Sequence, residues 1–240
     1  MRIGLIGYGK MGKAIERIAL ERGHSIAYKI NSENPITSQD LNLADVAIEF
    51  TQPALAVSHI HACLDANLPV VIGTTAWQEH LPSVKSAVEA KNGSLLYASN
   101  FSVGVNILFQ INERLAQLMS KQPDYKASIE EIHHTQKLDA PSGTAVTIAE
   151  GILANHSGYR SWVSALNESP AVNDGQLPIK ALREPDVPGT HTIEYHSAID
   201  TISLTHIAHS RDGFALGAVI AAEFLADKKG IFTMRDVLAL

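Results

Sequence analysis

A chain of 240 residues, 45% apolar and 18% charged, can bury one sizeable core or two modest ones. A formal net charge of −6 and a pI near 6.0 exclude general attraction to nucleic acid, so any anionic substrate must meet a local positive site. Cys63 is the single cysteine, which rules out an internal disulfide framework or thiolate metal cluster. Met1–Lys10 carries no basic leader and no long apolar stretch, so a cytoplasmic protein without a membrane segment is expected.

In chain order, residues 3–6 predict a strand ending at Gly7, and apolar spacing over 14–20 predicts a helix stopped by Gly23. Strands follow over 25–30, 44–49 and 70–72, with a helix over 54–67. A helix over 85–91 and a strand over 95–98 continue the alternation. Strands alternating with helices imply parallel pairing through right-handed crossovers. The fold class expected is therefore α/β, with an N-terminal doubly wound, Rossmann-like dinucleotide-binding domain.

Beyond Phe101 the rhythm changes to a helix over 107–119, a strand over 127–132, a helix over 141–153 and alternating strands over 192–195 and 201–208. These predict an α+β domain for substrate binding and oligomerisation. Residues 155–188, rich in Gly, Pro, Asn and Ser, predict a long loop. The apolar helix over 215–225 can pack back on the first domain. The domains expected are 1–102 completed by 212–240, and 103–211.

Gly7, Tyr8, Gly9, Lys10, Met11 and Gly12 have the spacing of the dinucleotide fingerprint, between the first strand and the first helix. Glycines there allow a tight turn and close approach to a pyrophosphate on the helix N-terminus. The acid expected about 20 positions later on the ribose is missing. Lys29, Asn31 and Ser32 stand there instead: Asn31 can bond a ribose hydroxyl and Lys29 can attract the extra phosphate of NADP. Gly73, Thr74 and Thr75 follow the fourth strand, and Ala98, Ser99, Asn100 and Phe101 follow the fifth. Both are placed to meet a nicotinamide, with hydroxyls and amide for the carboxamide and Phe101 bounding the ring. The cofactor expected is NADH or NADPH.

The segment Glu131 to Ala145 sets His133, His134 and Lys137 directly before a helix start. In a regular strand the two histidines would face oppositely, so joint action requires the strand to end or bulge there. Pro141 suits a first helical turn, and N–H groups around Ser142, Gly143 and Thr144 can hold a carboxylate beside a proton donor. Of His59, His61, His206 and His209, only the last pair has ligand spacing, and a strand splits its faces, so no metal site is expected.

Glu131 to Ala145 closely resembles the signature segment of the dihydrodipicolinate reductases. Gly7–Gly12, Glu49–Pro53, Gly73–Thr75, Asn100–Asn106 and Met234–Leu238 resemble further blocks of that family in family order. The first loop is a residue shorter than in many members, and the second strand lacks the usual acid. The resemblance implies a reductase of diaminopimelate and lysine biosynthesis that passes hydride to a small cyclic dicarboxylate. His133 would be general acid or base, Lys137 a proton donor, and His134, Gly143 and Thr144 substrate contacts; on the residue reading Ser142 joins them. It also implies a homotetramer joined through sheets of the second domain. Arg183, His191 and Arg211 are further carriers of positive charge that this reading leaves unplaced. Another two-domain dehydrogenase would share the glycine loop but has no reason to keep two His, Lys and Ser-Gly-Thr together. A redox-sensing binding protein would have no need of the proton donors.

Overall fold

The computed structural model describes residues 1–36 and 41–240. Two units emerge, Met1–Val103 with Arg211–Leu240, and Gly104–Ser210.

The first unit opens with β1 (Arg2–Ile6), α1 (Lys10–Glu21), β2 (Ser25–Ile30) and β3 (Val46–Glu49). It continues through α2 (Pro53–Asp65), β4 (Val70–Ile72), α3 (Leu81–Ala90) and β5 (Ser94–Tyr97). The sheet has the order β11-β5-β4-β3-β1-β2 with every pairing parallel, where β11 is Gly230–Phe232. Alternate residues feed two cores. Ile3, Leu5, Ile48, Val71 and Leu96 face α1 and α6 (Asp212–Leu225), whereas Ile6, Ala47, Ile72 and Leu95 face α2 and α3. Burial on both faces is why these strands read as unbroken apolar runs. Ala215, Ala218, Val219 and Ala222 bring the late helix α6 onto this sheet. The strand order reverses between β1 and β3, and such a reversal opens a crevice at the carboxyl ends of the strands.

The second unit contains most of α4 (Val103–Met119), then β6 (Lys126–His133), α5 (Gly143–Asn155), β7 (Ser161–Leu166), β8 (Gln176–Arg183), β9 (Gly189–His196) and β10 (Thr201–Ala208). Its sheet runs β10-β9-β6-β8-β7, antiparallel on the β9–β10 side and parallel on the β7–β8 side. Ala127, Ile129, Ile179, Ile193 and Tyr195 from one face pack against Leu108, Ala116, Ile148 and Ile152 of α4 and α5. The long loop expected over 155–188 is corrected: β7 and β8 lie within it. The turn-forming residues gather in the connection at 167–175, and Pro178 inside β8 argues against a strand by composition alone. The expected helix start at Pro141 also shifts, because Ser142 is the N-cap of α5 and its Oγ accepts from the Ala145 N–H. The short helix α7 (Met234–Leu238) closes the chain behind a Thr233–Asp236 capping box. Among the described residues no helix is long and apolar enough to cross a membrane.

Candidate active site

In the first unit the glycine loop is locked by close approach. Gly7 has φ +100°, and a Cβ there would stand 2.0 Å from the Phe50 carbonyl oxygen; one on Gly12 would stand 2.4 Å from that of Gly7. Gly9, the N-cap of α1, has nothing within 4 Å of a Cβ position and no side-chain cap bond. The start of a 12-residue helix therefore faces open space with its first N–H groups directed outward, which fits a pyrophosphate. Lys10 is exposed beside it, and Met11 packs against the sheet core.

Tyr8, Glu16 and Lys29 form a cluster at the β2 end. Lys29 Nζ lies 2.6 Å from Glu16, 3.3 Å from Tyr8 Oη and 4.7 Å from the Tyr8 ring centroid. Hydrogen bonds from Lys29, then Tyr8, hold the Glu16 carboxyl below its ordinary range. Asn31 spends its amide oxygen on the N–H groups of Glu33 and Asn34, at 2.9 and 2.8 Å.

At the other strand ends three residues expected as contacts are packed into the fold. Gly73 has no room for a side chain, because Phe50 packs on it and a Cβ there would fall 2.1 Å from the ring. Thr74 is buried with its hydroxyl accepting from Thr51 N–H at 2.8 Å, so Thr75 and Ser99 are the exposed hydroxyls. Phe101 is 2% exposed and belongs to the core. The half-buried Phe50, 5.7 Å from it, is the aromatic surface at that end. Asn100 is buried and accepts from Ser102 N–H at 2.8 Å, while Ala98 is half-buried.

In the second unit the chemistry gathers at the end of β6. Alternation puts Glu131 and His133 on the buried face, and the strand ends at His133, freeing His134 from strand geometry. Glu131 is fully buried. Its Oε2 is hydrogen-bonded to His133 Nδ1, and its Oε1 accepts from Arg183 Nη1 at 3.0 Å and from the Ser142 N–H at 3.3 Å. Burial pushes the Glu131 carboxyl up, but the hydrogen bond from His133 and the guanidinium of Arg183 outweigh it, and the group lies below the ordinary carboxylate range. Removing one member of such a buried pair costs about 3–5 kcal/mol, because the survivor stays charged and unpaired.

Register brings the partners in. Parallel pairing sets His133 beside Arg183 of β8, and antiparallel pairing sets Glu131 beside His191 of β9. The His133 and His191 rings meet edge-on at 5.1 Å. Burial, then the nearby His133, lowers His191 to about 3, so it stays neutral, and its Nε2 lies 3.1 Å from Ser142 Oγ. Arg183 also donates to the backbone carbonyls of Leu182 and Asp139, at 2.6 and 2.7 Å, which cinches the loop carrying Lys137. Lys137 Nζ lies 2.8 Å from both carboxylate oxygens of Asp139; burial raises the Asp139 carboxyl, but Lys137 brings it lower overall.

Ser142 is 2% exposed, with its hydroxyl committed to His191 and Ala145 and its N–H to Glu131, so it shapes the helix start. Gly143 is exposed with nothing within 4 Å of a Cβ position, and Thr144 follows it half-buried. Among the described residues the buried Nδ1 of His134 has no hydrogen-bond partner. Glu131, His133 and His191 bring ligand-type atoms within 4.8 Å of one another, yet the Arg183 guanidinium already holds the Glu131 carboxylate that a cation would need. Glu131 escaped the sequence reading as a site residue, its i, i+2 spacing from His133 being the available signal; Arg183 and His191, left unplaced there, are brought beside it by strand register.

The family model described as dihydrodipicolinate reductase, N-terminus, matches residues 1–101, and that described as dihydrodipicolinate reductase, C-terminus, matches 104–238. A 4-hydroxy-tetrahydrodipicolinate reductase of Christiangramia forsetii is 48% identical, over 100% of this chain and 98% of the relative. One from Alkaliphilus metalliredigens is 33% identical, over 97% and 96%. Among solved structures, a dipicolinate-bound dihydrodipicolinate reductase from Paenisporosarcina sp. TG-14 has TM-score 0.81 at 23% identity, covering 98% of each chain, a likeness of fold. With both parts of one family matched along nearly the whole sequence, the chain belongs to the dihydrodipicolinate reductase family.

Proposed function

We propose that this chain reduces the 4-hydroxy-tetrahydrodipicolinate ring to tetrahydrodipicolinate with NADH or NADPH, the first unit holding the nucleotide and the second the ring. A bound nicotinamide supplies hydride. Loss of the ring hydroxyl as water leaves a conjugated imine, and hydride addition there develops negative charge that a proton must neutralise. The observation that carries the reading is His133, backed by a buried carboxylate, with Lys137 four residues on and the open helix start at Gly143 in the same segment.

In this reading His133 or Lys137 delivers the proton, and Lys137 exchanges Asp139 for a substrate carboxylate. The N–H groups at Gly143 and Thr144 take a carboxylate at the helix N-terminus, and His134 Nδ1 orients the ring. The cofactor contacts are the loop 7–12, Asn31, the turn at Gly73, Thr74 and Thr75, and the segment 98–100. Cytoplasmic activity fits the single buried Cys63. The sheet face bearing Ser128, Glu130, Pro178, Lys180 and Thr192, which none of its own unit's helices covers, supports assembly into a tetramer. The test is nicotinamide oxidation with the ring made in place from pyruvate and aspartate semialdehyde by the preceding synthase, with NADH and NADPH side by side. Turnover with either is expected; silence with both, despite cofactor binding, would overturn the reading.

A further inference from the structure

We propose that Glu131 is a positioning residue that fixes which nitrogen of His133 carries the reacting proton, and that Arg183 keeps Glu131 in that role. The inference rests on the reading of His133 as the proton-transfer group. Every partner of Oε1 is an obligate donor, the Arg183 guanidinium at 3.0 Å and the Ser142 N–H at 3.3 Å. A carboxylate that faces a guanidinium and a backbone N–H in full burial stays ionised, and an ionised carboxylate only accepts. His133 Nδ1 must therefore be the donor to Oε2, which assigns the exchangeable position to Nε2.

Two further observations agree. Among the described residues nothing hydrogen-bonds Nε2, and the ring is 10% exposed. A Cβ on Gly189 would stand 3.0 Å from Nε2 and 3.3 Å from Cδ2, so the bare backbone of β9 leaves that edge of the ring clear. The same carboxylate also grips the N–H of the Ser142 cap, so one buried group ties the proton donor to the helix start that receives a substrate carboxylate. His191, held on the other side of Ser142, completes the frame without adding charge.

The test compares wild type, Glu131→Gln and Glu131→Asp in steady-state turnover in H2O and D2O, with folding checked by near-ultraviolet circular dichroism. Glu131→Gln is expected to lose on the order of 100-fold in kcat while KM for ring and cofactor stay within about threefold, since an unanchored imidazole is a poor acid. Its solvent isotope effect should rise above that of wild type because proton delivery becomes slow. Glu131→Asp, which keeps the charge, should recover part of the loss. A folded Gln variant with kcat within threefold of wild type and an unchanged isotope effect overturns the proposal. If the Gln variant does not fold, Glu131→Gln with Arg183→Met, which leaves no unpaired buried charge, is put through the same comparison. Wild-type protein with 15N-labelled histidine gives an independent readout: a protonated Nδ1 on His133, lost in His133→Gln, is expected, and the opposite tautomer overturns the proposal. Wild type that binds cofactor yet reduces no ring would instead sink the functional reading, leaving the tautomer result to judge Glu131.

Discussion

His191→Gln should flatten the acid side of the stability profile. Burial, followed by the charge of His133, depresses His191 from 6.5 to about 3. The unfolded chain therefore binds a proton that the folded chain refuses, so stability is intact above pH 6.5 and falls as pH drops through the window toward 3. Linkage gives a loss of about 2 kcal/mol between pH 7.5 and pH 5 and a limit of about 5 kcal/mol once both states are protonated. Glutamine offers Ser142 Oγ a polar side chain but has nothing to titrate. The assay is urea unfolding at both pH values in a Trp77→Phe background, so that Trp162 reports the second unit alone. Wild type should lose about 2 kcal/mol more than His191→Gln over that interval. Equal losses in the two proteins would mean that His191 is not held neutral, and the account of the frame around Ser142 would fail with it.

Gly7→Ala should weaken cofactor binding at least about tenfold, because the positive φ and the contact with the Phe50 carbonyl oxygen leave the loop no room. Fluorescence titration with NADPH checks it, and affinity within twofold of wild type would contradict it. Lys137→Met, at a side chain 21% exposed, should fold normally and lose about 100-fold in kcat; normal turnover at saturating substrate would remove Lys137 from the chemistry. Lys29→Ala should weaken NADPH by roughly fivefold and NADH hardly at all, as one exposed charge near a phosphate allows. Parallel titrations decide, and equal effects on both nucleotides would place Lys29 away from the extra phosphate.

The first sheet is readable from residues alone because strands buried on both faces are apolar throughout, and the glycine loop marks where they begin. β7 and β8 are not, since a proline inside β8 and a turn-rich connection mask their alternation. The His133 to Thr144 segment is local in sequence and shows itself. Arg183 reaches the Glu131 carboxylate, 52 residues away in sequence, and His191 comes to lie beside it, only through strand register, and no local pattern carries that information. Burial also decides which hydroxyls remain available: Ser142 and Thr74 sit in the expected segments, yet their oxygens are taken up by the fold.

The most direct test of the account is transfer of label from nicotinamide deuterated at its reactive carbon, supplied to wild-type protein with the ring generated in place and the product weighed by mass spectrometry. Hydride transfer predicts one deuterium per tetrahydrodipicolinate formed from the correctly labelled face and none from the other. Product without label from either face, or oxidation of the nucleotide without reduced ring, would contradict it.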